Sequence, residues 1–169
     1  EHNFSKYMGV KHTIGTNSCG SAMFIALNIV GVKPGDKILT NAFTFHAVPS
    51  VIEHARAIPV LVESNREWAM SAEDLDKKAT ETGAKVLLMS YMRGHVPDMD
   101  AVMEVVKKHD LIFIEDCAHA YETLWNGEFL GKFGHIGCFS TQSSKGMSAG
   151  EGGLFITDND EYAAKAVLY

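Results

Sequence analysis

Lys145 and Asp116 are the two residues of this chain whose types and surroundings could do covalent chemistry. Lys145 lies in a turn rich in serine and glycine, and Asp116 closes an apolar run within residues 114–120 (Ile-Glu-Asp-Cys-Ala-His-Ala). A lysine amine can form a Schiff base with an aldehyde, and an acidic side chain can keep a pyridine nitrogen protonated. Pyridoxal 5'-phosphate (PLP) needs both groups. The pair therefore predicts a PLP site with Lys145 as the catalytic residue.

A serine-rich cluster could hold the phosphate of such a cofactor. Residues 18–21 (Ser-Cys-Gly-Ser) stand where a strand pattern gives way to a helix pattern, and Ser140 ends a later strand pattern. Free N–H groups and the dipole at the start of a helix attract anions. Serine is also an ordinary helix cap, so this cluster alone does not decide between the two roles.

Each candidate also has an ordinary structural explanation. An isolated Asp116 is typical of a strand-end turn, and an isolated His119 is typical of a satisfied or exposed histidine. A single lysine is most often solvated, and Gly150, Gly152 and Gly153 could simply shape a turn before the last strand. The prediction of a site therefore depends on the combination of these residues.

Strand and helix patterns alternate along the chain. Ser71 and Asp98 are predicted to cap two of the helices. Strands are predicted at residues 13–16, 37–40, 58–63, 85–90, 111–115, 136–140 and 153–157. Helices are predicted at residues 21–30, 46–54, 72–80, 99–108 and 161–169, and no first element is predicted before residue 13.

This alternation predicts an α/β fold, with a three-layer, mostly parallel sheet that carries helices on both faces. Ligands of such sheets gather at the carboxyl ends of the strands. Asp116, His119, Ser140 and Lys145 follow strand ends, and residues 18–21 join the first strand to its helix. We therefore expect these groups to meet in one pocket.

Composition excludes several functional classes. The 169 residues carry a net charge of −6, which argues against a general nucleic-acid binder. No apolar run approaches the roughly 20 residues of a membrane span. Three widely spaced cysteines indicate a reducing compartment, and hence the cytoplasm. The eight histidines form no H-E-x-x-H motif and no close Cys/His cluster, so no metal site is expected.

Several stretches resemble the sugar aminotransferases of the DegT/DnrJ/StrS family, which are fold-type-I PLP enzymes. The resemblance covers nearly the whole chain and is strongest in residues 34–45, 92–100, 114–120 and 139–153. It implies that residues 1–169 form the large PLP-binding domain. It also implies that an N-terminal segment and a smaller C-terminal domain are missing, so the chain is expected to be an incomplete part of a longer protein.

The resemblance implies a role for each candidate residue. Lys145 would bind PLP covalently and later carry a proton, Asp116 would pair with the ring nitrogen, and His119 would lie near the phenolic oxygen. The residues implied to hold the phosphate are Ser140, Ser21 and the amides around Gly20. Phe45 would stack on the ring, with Phe43 as the less favoured candidate.

The chain departs from the family pattern at three of these positions. Gly20 stands where threonine is common, so a phosphate contact could be lost or supplied by Ser21. Cys19 stands where glycine is common, and His119 replaces a frequent glutamine while keeping the ability to form hydrogen bonds.

The leading hypothesis is a PLP-dependent aminotransferase that moves an amino group from glutamate or glutamine to a nucleotide-linked keto sugar or a keto cyclitol. It would act as a homodimer in which the partner subunit completes the pocket. One alternative is a PLP-dependent deoxysugar dehydratase, although the resemblance implies that such relatives carry histidine in place of Lys145. Another is a non-catalytic regulatory or binding protein with the same fold. A third is that the 169 residues alone are inactive.

Overall fold

The structure is a computed structural model that describes residues 1–169, and it confirms the expected three-layer α/β fold. The helices are α1 His2–Met8, α2 Cys19–Ile29, α3 Ala47–His54, α4 Ala72–Thr82, α5 Met99–His109 and α6 Asp160–Leu168, with a 3-10 turn at Met92–Gly94. The strands are β1 His12–Thr16, β2 Lys37–Asn41, β3 Ile58–Val62, β4 Val86–Ser90, β5 Ile112–Asp116, β6 Leu124–Trp125, β7 Glu128–Phe129, β8 Ile136–Ser140 and β9 Gly153–Thr157.

Seven of the strands form one sheet in the order β1-β9-β8-β5-β4-β2-β3. The neighbours from β3 to β8 run parallel, whereas β9 runs antiparallel to both β8 and β1. Every residue of β4 is buried, as expected for a strand that is covered on both faces. The carboxyl ends of β4, β5 and β8 consequently lie side by side at one edge of the sheet.

Two apolar cores hold the helices against the sheet. One core packs α1, α4 and α5 on one face, and the other packs α2, α3 and α6 on the opposite face. Burial of apolar side chains on both faces is the main favourable contribution to such a fold. None of the helices combines the length and the apolar character that a membrane span requires.

The predicted helix caps are present. Ser71 Oγ accepts a hydrogen bond from the Asp74 N–H at 3.2 Å, and Asp98 Oδ1 accepts one from the Ala101 N–H at 3.1 Å. Each bond satisfies an N–H group that has no partner within its own helix. These caps fix where α4 and α5 begin.

A charged cluster joins α4 to the end of α5. The carboxylate of Asp76 accepts hydrogen bonds from Lys108 Nζ at 2.8 Å and interacts with His109 Nε2 at 2.5 Å. The hydrogen bond from Lys108, followed by that from His109, lowers the pKa of Asp76 below its ordinary value of 3.8.

Two features of the fold were not predicted. Helix α1 was missed because it is short, and it is held by the buried side chains of Phe4 and Met8. The hairpin of β6 and β7 consists of two-residue strands, too short to show an alternating pattern. Helix α2 begins at Cys19 rather than at residue 21, and its cap is Ser18.

Candidate active site

A cavity of about 510 Å³ lies at the carboxyl ends of β5 and β8, beside the start of α2. Six of the seven predicted site residues line it, namely Lys145, Asp116, His119, Ser140, Gly20 and Phe45. Its volume is in the range of small-molecule sites. A larger, more open hollow of about 740 Å³ lies between α1, β1 and α6. There the exposed carboxylate of Asp160 already pairs with Lys11 and His12.

Lys145 and His119 are in direct contact inside the cavity. Lys145 Nζ lies 2.7 Å from His119 Nε2, and the Arg93 N–H donates to His119 Nδ1 at 3.4 Å. Partial withdrawal from water, and then the charge of Lys145, lower the pKa of His119 below its ordinary 6.5. The imidazole is therefore uncharged at neutral pH. It can form hydrogen bonds without adding a positive charge to the site.

The turn that carries Lys145 is held by its own hydrogen bonds. The Lys145 N–H donates to the Gln142 carbonyl at 2.9 Å, and the Ser144 N–H donates to Gln142 Oε1 at 3.0 Å. The Ala149 N–H donates back to the Thr141 carbonyl at 2.8 Å. These bonds fix the backbone on both sides of Lys145, so the amine is positioned by the turn as well as by His119.

Asp116 lines the cavity, and one of its two carboxylate oxygens has no hydrogen-bond donor in the protein. Its side chain is only 4% exposed. Oδ1 accepts hydrogen bonds from the Ala118 N–H at 3.1 Å and from the Cys19 thiol at 3.4 Å, whereas Oδ2 accepts none from the protein. A carboxylate oxygen that the protein leaves without a donor can accept a hydrogen bond from a ligand.

The start of α2 forms another wall of the cavity. Ser18 caps the helix by accepting a hydrogen bond from the Ser21 N–H at 3.0 Å. Ser18 and Gly20 line the cavity, whereas the Ser21 hydroxyl lies 3.1 Å from Ser18 Oγ and is not among the lining groups. The predicted phosphate contact of Ser21 therefore remains a prediction.

Gly153 lets strand β9 lie directly against the start of α2. A Cβ atom at this position would come within 2.4 Å of the Ser18 carbonyl carbon and 2.5 Å of the Cys19 nitrogen. Only glycine fits such an approach. The sequence analysis gave Gly153 no more than a turn-shaping role, so its contact with the cavity wall was missed.

The structure separates the two phenylalanines that were considered for stacking on the cofactor. Phe45 is half exposed and lines the cavity. Phe43 instead packs against Trp68, with ring centroids 5.2 Å apart, and lines a different hollow. This arrangement favours Phe45 as the ring that meets a ligand.

A buried carboxylate supports the site from the other face of the sheet. Glu115 precedes Asp116 in β5 and accepts hydrogen bonds from Tyr91 Oη at 2.5 Å, the Gly131 N–H at 2.8 Å and the Gly134 N–H at 2.6 Å. Burial raises the pKa of Glu115 despite these bonds. The network ties the end of β5 to the segment before β8, and sequence analysis did not identify it.

The site contains no cluster suited to a metal. No group of three or more His, Cys, Asp or Glu side chains could hold an ion. All three cysteines are free and buried. The polar groups that line the cavity include an amine, an imidazole, carboxylates, a thiol and hydroxyl groups.

The whole chain matches one protein family. The profile of the DegT/DnrJ/EryC1/StrS aminotransferase family matches residues 1–169. A GDP-perosamine synthase from Caulobacter vibrioides is 34% identical over 169 residues, which are 99% of this chain and 45% of that protein. A UDP-N-acetyl-3-dehydro-alpha-D-glucosamine 3-aminotransferase from Acidithiobacillus ferrooxidans is 35% identical over 159 residues, which are 93% of this chain and 43% of that protein.

A solved structure shares the same fold. The PLP form of the sugar aminotransferase Spr1654 from Streptococcus pneumoniae superimposes with a TM-score of 0.92 at 26% identity, over 99% of this chain and 48% of that chain. This chain spans less than half the length of the curated relatives that it matches.

Proposed function

The chain belongs to the DegT/DnrJ/EryC1/StrS aminotransferase family, and on this premise we propose that the complete protein is a PLP-dependent sugar aminotransferase. It moves an amino group from glutamate or glutamine to a nucleotide-linked keto sugar or a keto cyclitol. Residues 1–169 are its large PLP-binding domain. The observation that carries the proposal is a single cavity lined by Lys145 and by Asp116, whose Oδ2 has no donor in the protein.

The residues present fit PLP. The cavity has room for a cofactor of this size. The free Oδ2 of Asp116 can accept a hydrogen bond from a protonated ring nitrogen, which satisfies an oxygen that the protein leaves without a donor. The start of α2 offers N–H groups to an anion, and Ser140 adds a hydroxyl. In the proposed arrangement Gly20, Ser21 and Ser140 hold the phosphate and Phe45 covers the ring.

Each side chain has a defined task in this proposal. When bound, PLP supplies an electron sink for the carbanion that forms at the amino-acid carbon. Asp116 keeps the proton on the ring nitrogen because its charge is buried beside that atom. Lys145 Nζ would hold the cofactor covalently, and as a free amine it could move a proton at the amino-acid carbon as a general base.

His119 orients the amine of Lys145. The uncharged imidazole lies within hydrogen-bond distance of Nζ and is itself held by the Arg93 N–H. In the proposed arrangement His119 would also contact the phenolic oxygen of the cofactor. The presence of lysine at position 145 favours amino transfer over sugar dehydration. Its primary amine is available both to attach the cofactor and to transfer a proton.

The names of the relatives support the proposed acceptor class. The names of the GDP-perosamine synthase and of the UDP-linked 3-aminotransferase each include a nucleotide-linked sugar. A homodimer in the cytoplasm completes the proposal, and the three free cysteines are consistent with a reducing compartment.

The test is the binding of PLP by the complete protein. Wild type is expected to develop the visible absorption band of lysine-bound PLP, and Lys145→Ala is expected to lose it. Lys107→Ala, which changes an exposed lysine of α5, is the matched control and should keep the band. A band of full strength in Lys145→Ala would overturn the assignment of the lysine.

Turnover separates the proposed activity from the alternatives. The complete protein, supplied with glutamate or glutamine, should convert nucleotide-linked keto sugars or keto cyclitols to amino products, as detected by mass spectrometry. Binding of a sugar without conversion would instead indicate a regulatory protein. A dehydrated product with no incorporated nitrogen would indicate a dehydratase.

A further inference from the structure

Cys19 stands at the first position of α2 and reaches across the cavity wall to Asp116. Its thiol lies 3.4 Å from Asp116 Oδ1, and both side chains are buried, with exposures of 7% and 4%. The two residues come from distant parts of the sequence, so the contact links α2 to the end of β5. Asp116 is also the residue that the proposed function places at the ring nitrogen of PLP.

The direction of this hydrogen bond is fixed by chemistry. Burial, and then the charge of Asp116, raise the pKa of Cys19 well above its ordinary value, so the sulfur keeps its proton. An ionised carboxylate can only accept, so the thiol is the donor. Oδ1 therefore has two donors, the Cys19 thiol and the Ala118 N–H, while Oδ2 has none.

Two donors on one oxygen restrict rotation of the carboxylate. The Ala118 N–H lies only two residues after Asp116, whereas the Cys19 thiol approaches from a separate element. If the thiol were absent, the carboxylate would keep only its local bond and could turn Oδ2 away from the cavity. A fixed carboxylate loses less conformational freedom when a ligand binds to it.

We propose that Cys19 is a positioning residue, whose thiol holds Asp116 so that Oδ2 is presented to the ring nitrogen of PLP. The inference rests on the proposed PLP site. Cys19 acts through Asp116 and needs no contact with the reacting atoms.

Substitutions at Cys19 test the effect on PLP affinity in the complete protein. Cys19→Ala removes the donor and is expected to weaken PLP binding about fivefold, as for the loss of one hydrogen bond. Cys19→Ser keeps a donor and is expected to bind within about twofold of wild type. Cys138→Ala is the matched control, because Cys138 is equally buried and pairs with Asp116 in the sheet.

The 1-deaza analogue of PLP, in which C–H replaces the ring nitrogen, separates positioning from a general loss of structure. Wild type and Cys19→Ala should bind this analogue equally, because it has no ring nitrogen for Asp116 to hold. A fivefold loss that persists with the analogue would overturn the inference. Equal PLP affinity of wild type and Cys19→Ala would also overturn it.

The hydrogen bond itself can be measured without the cofactor. The infrared S–H stretching band that disappears in Cys19→Ser should lie at a lower frequency than that of a free thiol, and should move up in Asp116→Ala. A band that does not respond to Asp116→Ala would overturn the inference while leaving the proposed function intact. Failure of the wild type to bind PLP would overturn the proposed function, and this inference with it.

Discussion

Replacing Gly153 by alanine should both destabilise the protein and damage the site. The added Cβ would lie 2.4 Å from the Ser18 carbonyl carbon and 2.5 Å from the Cys19 nitrogen. Carbon atoms pack at roughly 3.5–4.0 Å, so the two backbones must separate by about 1 Å. Neither can move freely, because β9 is paired on both sides and Ser18 is the cap of α2.

The cost follows from this overlap. Overpacking a rigid contact typically destabilises a protein by about 1–3 kcal/mol, and the upper end is expected here because both partners are backbone. A shift of Ser18 and Cys19 also moves the cavity wall and the thiol that contacts Asp116. Gly153→Ala should therefore weaken PLP binding in molecules that remain folded.

Gly20→Ala is the matched control for the stability part of this prediction. A Cβ at Gly20 meets only Ser18 Oγ, at an ordinary 3.6 Å. Alanine is also favoured over glycine within a helix by about 1 kcal/mol, so this variant should be as stable as wild type or more so. The measurements are urea unfolding followed by far-UV circular dichroism, and PLP titration of the complete protein. Gly153→Ala with wild-type stability and affinity would refute the reasoning.

Two further predictions concern residues outside the cavity. Tyr91→Phe removes a buried donor from Glu115 and should lower the free energy of unfolding by about 1–3 kcal/mol. The control variant Tyr7→Phe, at an exposed site, should change this free energy little. Equal effects of the two variants in urea unfolding would contradict the role of Glu115. Asp76→Asn should lower the urea midpoint at pH 7. The folded-state pKa of Asp76 is depressed, mainly by Lys108. The Asp76 carboxylate therefore stabilises the folded protein fully above about pH 3.8, and this contribution is lost as the pH falls through the folded-state pKa. The difference in urea midpoint between wild type and Asp76→Asn should disappear as the pH falls below 3.8. A difference that stays constant at lower pH would contradict the assignment.

The parts of the fold that could be predicted from sequence are those with a local signal. Strand β4 is an apolar run because it is buried on both faces, and Ser71 and Asp98 precede helices that they cap. Helix α1 and the β6–β7 hairpin were missed because tertiary contacts, rather than local pattern, hold such short elements.

The same distinction applies to the candidate site. Lys145 and Asp116 could be identified because their residue types and their places after strands are visible in the chain. The bond from Cys19 to Asp116 and the close approach of Gly153 to α2 could not, because each joins segments that are far apart in sequence. Nor does a local pattern reveal which hydroxyl of residues 18–21 faces the cavity.

The pairing of β1 with β9 affects the order in which the protein can fold during synthesis. Strand β1 has β9 as its only neighbour in the sheet, and β9 is the last strand of the chain. While the ribosome is still producing the middle of the chain, the parallel strands can assemble, but β1 has nothing to pair with. Joining such distant segments is slow because a long loop must close. The wall that Gly153 forms beside α2 can therefore appear only after β9 has been synthesised, later than the parallel part of the sheet.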